Sequence, residues 1–207
     1  MAMRCVAALL LLLLNACVST YTGHARDLDP KAFQKERGWT AVHGVPLYRQ
    51  EQSKDCGPAA LAMVVAYLKP ELDVRTLLAT NRDERVSVAE LRDRARTLGL
   101  QAFVMEGSPA DLVHELKRGR PLIVGVAKPT LEGPMAHYEV VIGIHKETQR
   151  IATLDPAIGL RENSLFEFMS EWQATGRVLL VVLPQPSAEP ASENRAVAEH
   201  AQGRPAI

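Results

Sequence analysis

A chain of 207 residues with 47% hydrophobic content is long enough for one domain with a real core. Its 24 basic residues are balanced by 24 acidic ones, with no long block of either sign, which gives no footing for a nucleic-acid partner. No repeat recurs at solenoid or propeller periods, which excludes those architectures.

Residues 1 to 16 read as an export signal: Arg4 in a short n-region, an apolar run from Val6 to Leu14, and the ending Leu14-Asn15-Ala16 before Cys17. The run is too short to span a membrane. Its end resembles a bacterial lipobox, whose cysteine receives lipid and becomes the new N-terminus. Val18 follows rather than an aspartate, so the expected address is the cell envelope, on the periplasmic face of an outer membrane, with the membrane held through lipid on Cys17. Residues 17 to 40 lack sustained periodicity and are expected to form a tether. The domain proper is expected over residues 41 to 184, and a disordered tail rich in Pro, Ser, Glu and Ala over residues 185 to 207.

Three cysteines are present, and of these Cys5 leaves with the signal and Cys17 carries lipid. Cys56 is then the only thiol left in the domain, and no internal disulfide can form. An unpaired cysteine in an exported protein is either buried or used.

Around it the chain reads Asp55-Cys56-Gly57-Pro58-Ala59, followed by an almost wholly apolar run to Leu68. Proline is tolerated in a first helical turn, where its missing amide had no partner, so a helix is expected to begin beside Cys56. Without a polar stripe, that helix must be wrapped by protein. The unsatisfied amides and partial positive charge at its N-terminus favour a thiolate over a thiol.

Further elements follow in order. Val42 to Tyr48 reads as a short lead-in strand, and Leu72 to Thr80 as a second helix. Ser87 to Glu90 reads as a capping box opening a third helix that stops at Gly99. Then come a strand from Gln101 to Glu106, a helix from Pro109 to near Gly119, and an apolar strand from Pro121 to Ala127. Lys128 to Ala136 reads as a loop. From His137 to His145 the residues alternate, with Tyr138, Val140, Ile142 and Ile144 on one face and His137, Glu139, Val141, Gly143 and His145 on the other. A turn leads to a strand from Ile151 to Asp155; a helix around Phe166 to Trp172 and a strand from Arg177 to Leu183 close the domain.

Cysteine on the first major helix and histidine on a later strand resemble the papain-like order. The motifs are more specific: Gln50, Asp55-Cys56-Gly57-Pro58-Ala59, His137-Tyr138, Asp155-Pro156 with Gly159, then Phe168 and Trp172 resemble the double-glycine leader peptidase family, the peptidase domains of bacteriocin exporters and their stand-alone relatives. The resemblance covers Pro46 to Leu183. It implies an α+β fold of N-terminal helices packed on a mainly antiparallel sheet, a peptide or protein substrate, and no cofactor or metal. It also implies Cys56 as nucleophile, His137 as base, Asp155 as orienter and Gln50 as oxyanion donor, a set able to form and hydrolyse a thioester. Gln52 and His145 are the rivals of Gln50 and His137. Glu139 departs from the family's apolar residue and puts a carboxylate on the histidine's face. No ATPase or transmembrane domain is expected in this chain. A peptide-binding module that does not cut, and an acyltransferase or transamidating enzyme with the same triad, are the alternatives.

The triad sets a geometric condition. A regular hairpin pairing His145 with Arg150 would put Asp155 opposite Val140, on the face away from His137. An odd-numbered connection or a bulge before Asp155 is therefore expected.

Overall fold

The computed structural model describes residues 21–78 and 85–185. Its elements in chain order begin with β1 (Arg26–Asp27), α1 (Pro30–Lys35), β2 (Trp39–Ala41), α2 (Cys56–Leu68), α3 (Arg75–Leu78) and α4 (Val88–Thr97). β3 (Leu100–Glu106), α5 (Pro109–Lys117), β4 (Leu122–Lys128), β5 (Met135–His145), β6 (Arg150–Asp155), β7 (Gly159–Ser164), α6 (Leu165–Gln173) and β8 (Val178–Pro184) follow. The strands form one antiparallel sheet in the order β1-β7-β6-β5-β4-β8-β3, with β2 pairing β5 outside this path.

Two apolar layers sandwich the sheet. On one face, Leu61, Met63 and Val65 of α2 and Leu91 of α4 pack on Val140, Ala152, Leu154 and Leu180. On the other, Leu112 and Leu116 of α5 and Phe168 and Trp172 of α6 cover Val124, Val141, Ile151 and Leu179. Every residue from Cys56 to Val65 is buried, as the absence of a polar stripe on α2 requires. Ser87 Oγ accepts from the Glu90 amide at 3.2 Å, capping α4. A reciprocal box opens α5, where Ser108 Oγ accepts from the Asp111 amide and Asp111 Oδ2 accepts from the Ser108 amide.

Three expectations are corrected. The stretch read as a tether is built into the domain from Tyr21 on: β1 and β2 join the sheet, and α1 buries Phe33. Elements of two to six residues are too short for periodicity to reveal; Leu28 and Phe33 are their buried anchors, with Trp39 and Ala41 half-buried against the same core. Val42 to Tyr48 is not a strand, because Gly44 takes a left-handed φ of 80° and Pro46 has no amide to donate. The pairing moved upstream, to Trp39–Ala41. β7 went unread because its charges are paired within the fold: Glu162 accepts from Arg26 and Arg150, and Arg161 donates to Asp27. The second helix begins at Arg75 rather than Leu72, with residues 79 and 80 of that expectation outside the described residues.

The hairpin of β5 and β6 carries the feature on which the site depends. His145 opposes Arg150, Ile144 opposes Ile151 and Gly143 opposes Ala152; the register then shifts, so that Val141 opposes Thr153 and Val140 opposes Leu154. Ile142 is the extra residue of a β-bulge, and its carbonyl accepts from the Val42 amide at 2.8 Å. The shift splits the expected face. Val140 and Ile142 stay in the α2 layer, but Ile144 turns into the opposite layer with Val141. Gly143 faces the rings of Phe33 and Trp39, which would lie 3.0 to 3.2 Å from any Cβ placed there.

Candidate active site

The first turn of α2, the start of β5 and the end of β6 converge on one point. Cys56 is the first residue of α2 and 2% exposed; His137 and Asp155 are 4% and 2% exposed. His137 Nε2 lies 2.9 Å from Asp155 Oδ1, which also accepts from the Ala157 amide at 2.7 Å. The carboxylate is thus fixed by its own Asx turn before it meets the imidazole. With Nε2 facing Asp155, Nδ1 is the nitrogen left to hydrogen-bond Cys56.

The electrostatics favour an ion pair. Burial pushes the Cys56 thiol up, but the hydrogen bond and charge of His137, the Tyr138 amide and the Arg85 guanidinium outweigh it and leave the thiol below its ordinary value. Burial pushes the His137 imidazolium down, and the hydrogen bonds and charges of Asp155 and Cys56 more than reverse it, so its pKa is raised. Burial likewise opposes the Asp155 charge, yet the contact with His137 holds this carboxyl below the usual range. All three shifts describe one arrangement, thiolate beside imidazolium beside carboxylate.

The rivals separate on geometry. His145 sits at the far end of β5, where Nε2 donates to the Arg37 carbonyl at 2.9 Å and Nδ1 accepts from the Thr148 amide, so both nitrogens serve the fold. Gln50 and Gln52 both line the cavity beside His137. Gln50 is half-buried, its amide donates to the Pro156 carbonyl at 3.0 Å, and its buried Oε1 has no hydrogen-bond partner. Gln52 is exposed and ties its backbone to Asp55.

Two cations near the site were not singled out from sequence. Arg85, at the start of the described segment before α4, donates to the Ala136 carbonyl at 2.6 Å and brings its guanidinium to 4.0 Å from Cys56 Sγ. Lys128, at the end of β4, is buried between Glu139 and Glu171, 3.2 Å from the latter, and its ammonium is held charged because these carboxylates outweigh the cost of burial. Glu139 therefore faces Lys128 rather than a substrate, with only 1% of its surface exposed. His137, Glu139 and Asp155 offer ligand atoms within 4.8 Å of one another. Those atoms are already engaged by Lys128, the Ala157 amide and each other, so Lys128 supplies the charge a metal would bring.

A thiol, an imidazole and a carboxylate in this order, on a helix packed against an antiparallel sheet, define a papain-like cysteine peptidase domain. Residues 44–187 match the Peptidase C39 family, and the chain belongs to it. It is 30% identical over 148 residues to the mesentericin transport/processing ATP-binding protein MesD of Leuconostoc mesenteroides, covering 70% of this chain and 20% of that protein. It is 32% identical over 154 residues to the transport/processing ATP-binding protein ComA of Streptococcus pneumoniae, again over 70% of this chain and 20% of the relative. The chain thus spans about a fifth of the length of the curated relatives it matches. Among solved structures, the peptidase domain of Streptococcus ComA, a bi-functional ABC transporter of a quorum-sensing pathway, superposes with a TM-score of 0.56 at 25% identity, covering 69% of this chain and all of that one. A double-glycine motif protease from a transporter, solved with its leader peptide, shares the fold at a TM-score of 0.53 and 24% identity, over 70% of this chain and 95% of that one.

Proposed function

We propose that this chain is an exported, lipid-anchored peptidase that cuts peptide bonds through Cys56, His137 and Asp155, with Gln50 as oxyanion donor. The single observation that carries the reading is the contact of His137 Nε2 with Asp155 Oδ1 in a buried site that Cys56 shares, with the other imidazole nitrogen left for the thiol. In the first step Cys56 Sγ bonds to the acyl carbon and the scissile C–N bond breaks. The imidazolium gives its proton to the leaving nitrogen, and a thioester remains. Water, deprotonated by His137, then attacks the acyl carbon and breaks the C–S bond, releasing a carboxylic acid and restoring the thiolate–imidazolium pair. During both steps the negative oxygen accepts from the Gln50 side-chain amide and the Cys56 backbone amide, donors that need no reorganisation. Asp155 holds the ring so that Nδ1 stays aimed at sulfur.

The substrate class is a peptide segment of an exported or exporting protein; the leader peptide bound by the related transporter protease supports a peptide ligand. Lipid on Cys17 would hold the domain at the bacterial envelope, and this part of the reading rests on the sequence Leu14-Asn15-Ala16-Cys17 alone. A peptidyl electrophile directed at thiols tests the catalytic part. Labelling should occur at Cys56 and be lost in His137→Ala. A binding module would hold the peptide without labelling, and an acyltransferase would label but release its thioester to amines in preference to water.

A further inference from the structure

Two cavities flank His137. The smaller, about 300 Å³, is lined by Cys56, Arg85, Val126 and Tyr138; the larger, about 610 Å³, is lined by His137, Asp155 and Gln50 but not by Cys56. On the reading above, the acyl half of a substrate is bonded to Cys56 Sγ and must lie in the cavity that touches sulfur. The leaving amine takes its proton from His137 and departs on the side that His137 lines without Cys56. The larger cavity therefore receives the residue after the cut.

Its walls specify what fits. Tyr21, Met135, Ala157 and Ile158 supply apolar surface, and Ile158 is 40% exposed at the rim. The two cations there are already spent. Arg161 donates to Asp27 Oδ1 at 2.6 Å and to the Ala25 carbonyl, while Lys128 is held between Glu139 and Glu171. An anionic side chain entering this space would lose water and meet no free cation, and Glu51, the wall carboxylate besides Asp155, is exposed to water, whereas an apolar side chain gains by burial.

The wall formed by Tyr21 lies outside residues 44–187, the span that matches the family. It is pinned rather than draped. Tyr21 pairs with Thr130 as an antiparallel bridge, the Thr22 amide donates to the Pro129 carbonyl at 2.9 Å, and the Tyr21 hydroxyl donates to Glu171 Oε1 at 2.9 Å while accepting from the Ala25 amide. We infer that the N-terminal segment completes a specificity pocket for a bulky apolar residue, such as Leu, Phe or Met, on the leaving-group side of the scissile bond. This rests on the peptidase reading for the direction of the substrate, but not for the chemistry of the pocket.

Two measurements on the full chain keep the claims apart. In the first, Cys56→Ala is titrated with phenylalaninamide, leucinamide and glycinamide as mimics of the leaving amine, followed by ligand NMR line broadening. The apolar amides should bind at least about tenfold tighter than glycinamide, the scale of apolar side-chain discrimination. Tyr21→Ala, and separately Ile158→Asp at the exposed rim, should each erase most of that difference. Equal binding of all three amides, or apolar binding unchanged in both variants, would overturn the pocket. In the second, a peptide mixture digested by the otherwise unaltered chain should show Leu, Phe or Met enriched after the cut, and Ile158→Asp should remove the enrichment. Cuts with no preference at that position overturn the inference and leave the peptidase standing. A mixture left wholly uncut overturns the peptidase, while the amide titration still decides the pocket.

Discussion

His137 and Asp155 share one face of the sheet only because Ile142 bulges between them and the hairpin turn. His145 opposes Arg150 across an even-numbered connection, the arrangement that in a regular ladder would turn Asp155 away; the shift between Val141 and Gly143 restores it, leaving the side chains 2.9 Å apart. The bulge is tied down by the Val42 amide on the Ile142 carbonyl and by the Phe33 and Trp39 rings against Gly143. Asp155→Asn should lower kcat by roughly 10²- to 10⁴-fold, the scale on which a mis-set imidazole tautomer costs an acyl-transfer triad. Activity within threefold of the unaltered chain would remove Asp155 from the mechanism.

The glutamines part under mutation. Gln50→Ala should reduce kcat by about a hundredfold or more with little change in KM, as expected for a donor that acts only on the transition state. Gln52→Ala, exposed at the mouth of the cavity, should change kcat little. The reverse pattern in steady-state kinetics would transfer the oxyanion role to Gln52.

Phe33 reports on whether residues before 41 belong to the fold. It is 4% exposed and packs edge-on against Trp39 at 5.1 Å between ring centroids. Phe33→Ala should cost about 3 to 5 kcal/mol in chemical denaturation, the range for emptying a buried aromatic site. A loss below about 1 kcal/mol would mean that α1 is dispensable.

The proposed anchor at Cys17 is tested separately from catalysis. Cys17→Ser should release the protein from the membrane fraction or block its maturation, while the purified domain keeps its kcat/KM. Retention in membranes with normal processing would contradict the lipid anchor.

What could be read in advance was whatever a local pattern encodes. The placement of Cys56 follows from Pro58 and an unbroken apolar run, and the need for a bulge follows from strand parity and the positions of Leu154 and Asp155. Arg85, Lys128 and Tyr21 had no such signature. Each reaches the site through tertiary contacts spanning many residues, as Lys128 does to Glu171 and Tyr21 to Thr130. Lys128 in particular ended a hydrophobic strand, where a lysine reads as a solvent-facing stop until the carboxylates opposite it are known. β7 stayed hidden for the same reason, since Arg161 and Glu162 look like a polar connection until Asp27, Arg26 and Arg150 neutralise them.

The central claim is a thiolate at Cys56 paired with an imidazolium at His137, and the rate of Cys56 alkylation by iodoacetamide against pH measures it directly. The thiol pKa is lowered, so the reactive thiolate should be present above that lowered value, beneath the free-thiol midpoint of about 8.5. His137 is raised, so the imidazolium should persist through neutral pH and be lost only in the alkaline range; peptide cleavage, which needs it to protonate the leaving amine, should fall there while alkylation continues. Arg85→Gln should move the alkylation midpoint upward, and His137→Ala should move it further. A midpoint near 8.5 in the unaltered chain, unmoved by His137→Ala, would contradict the account.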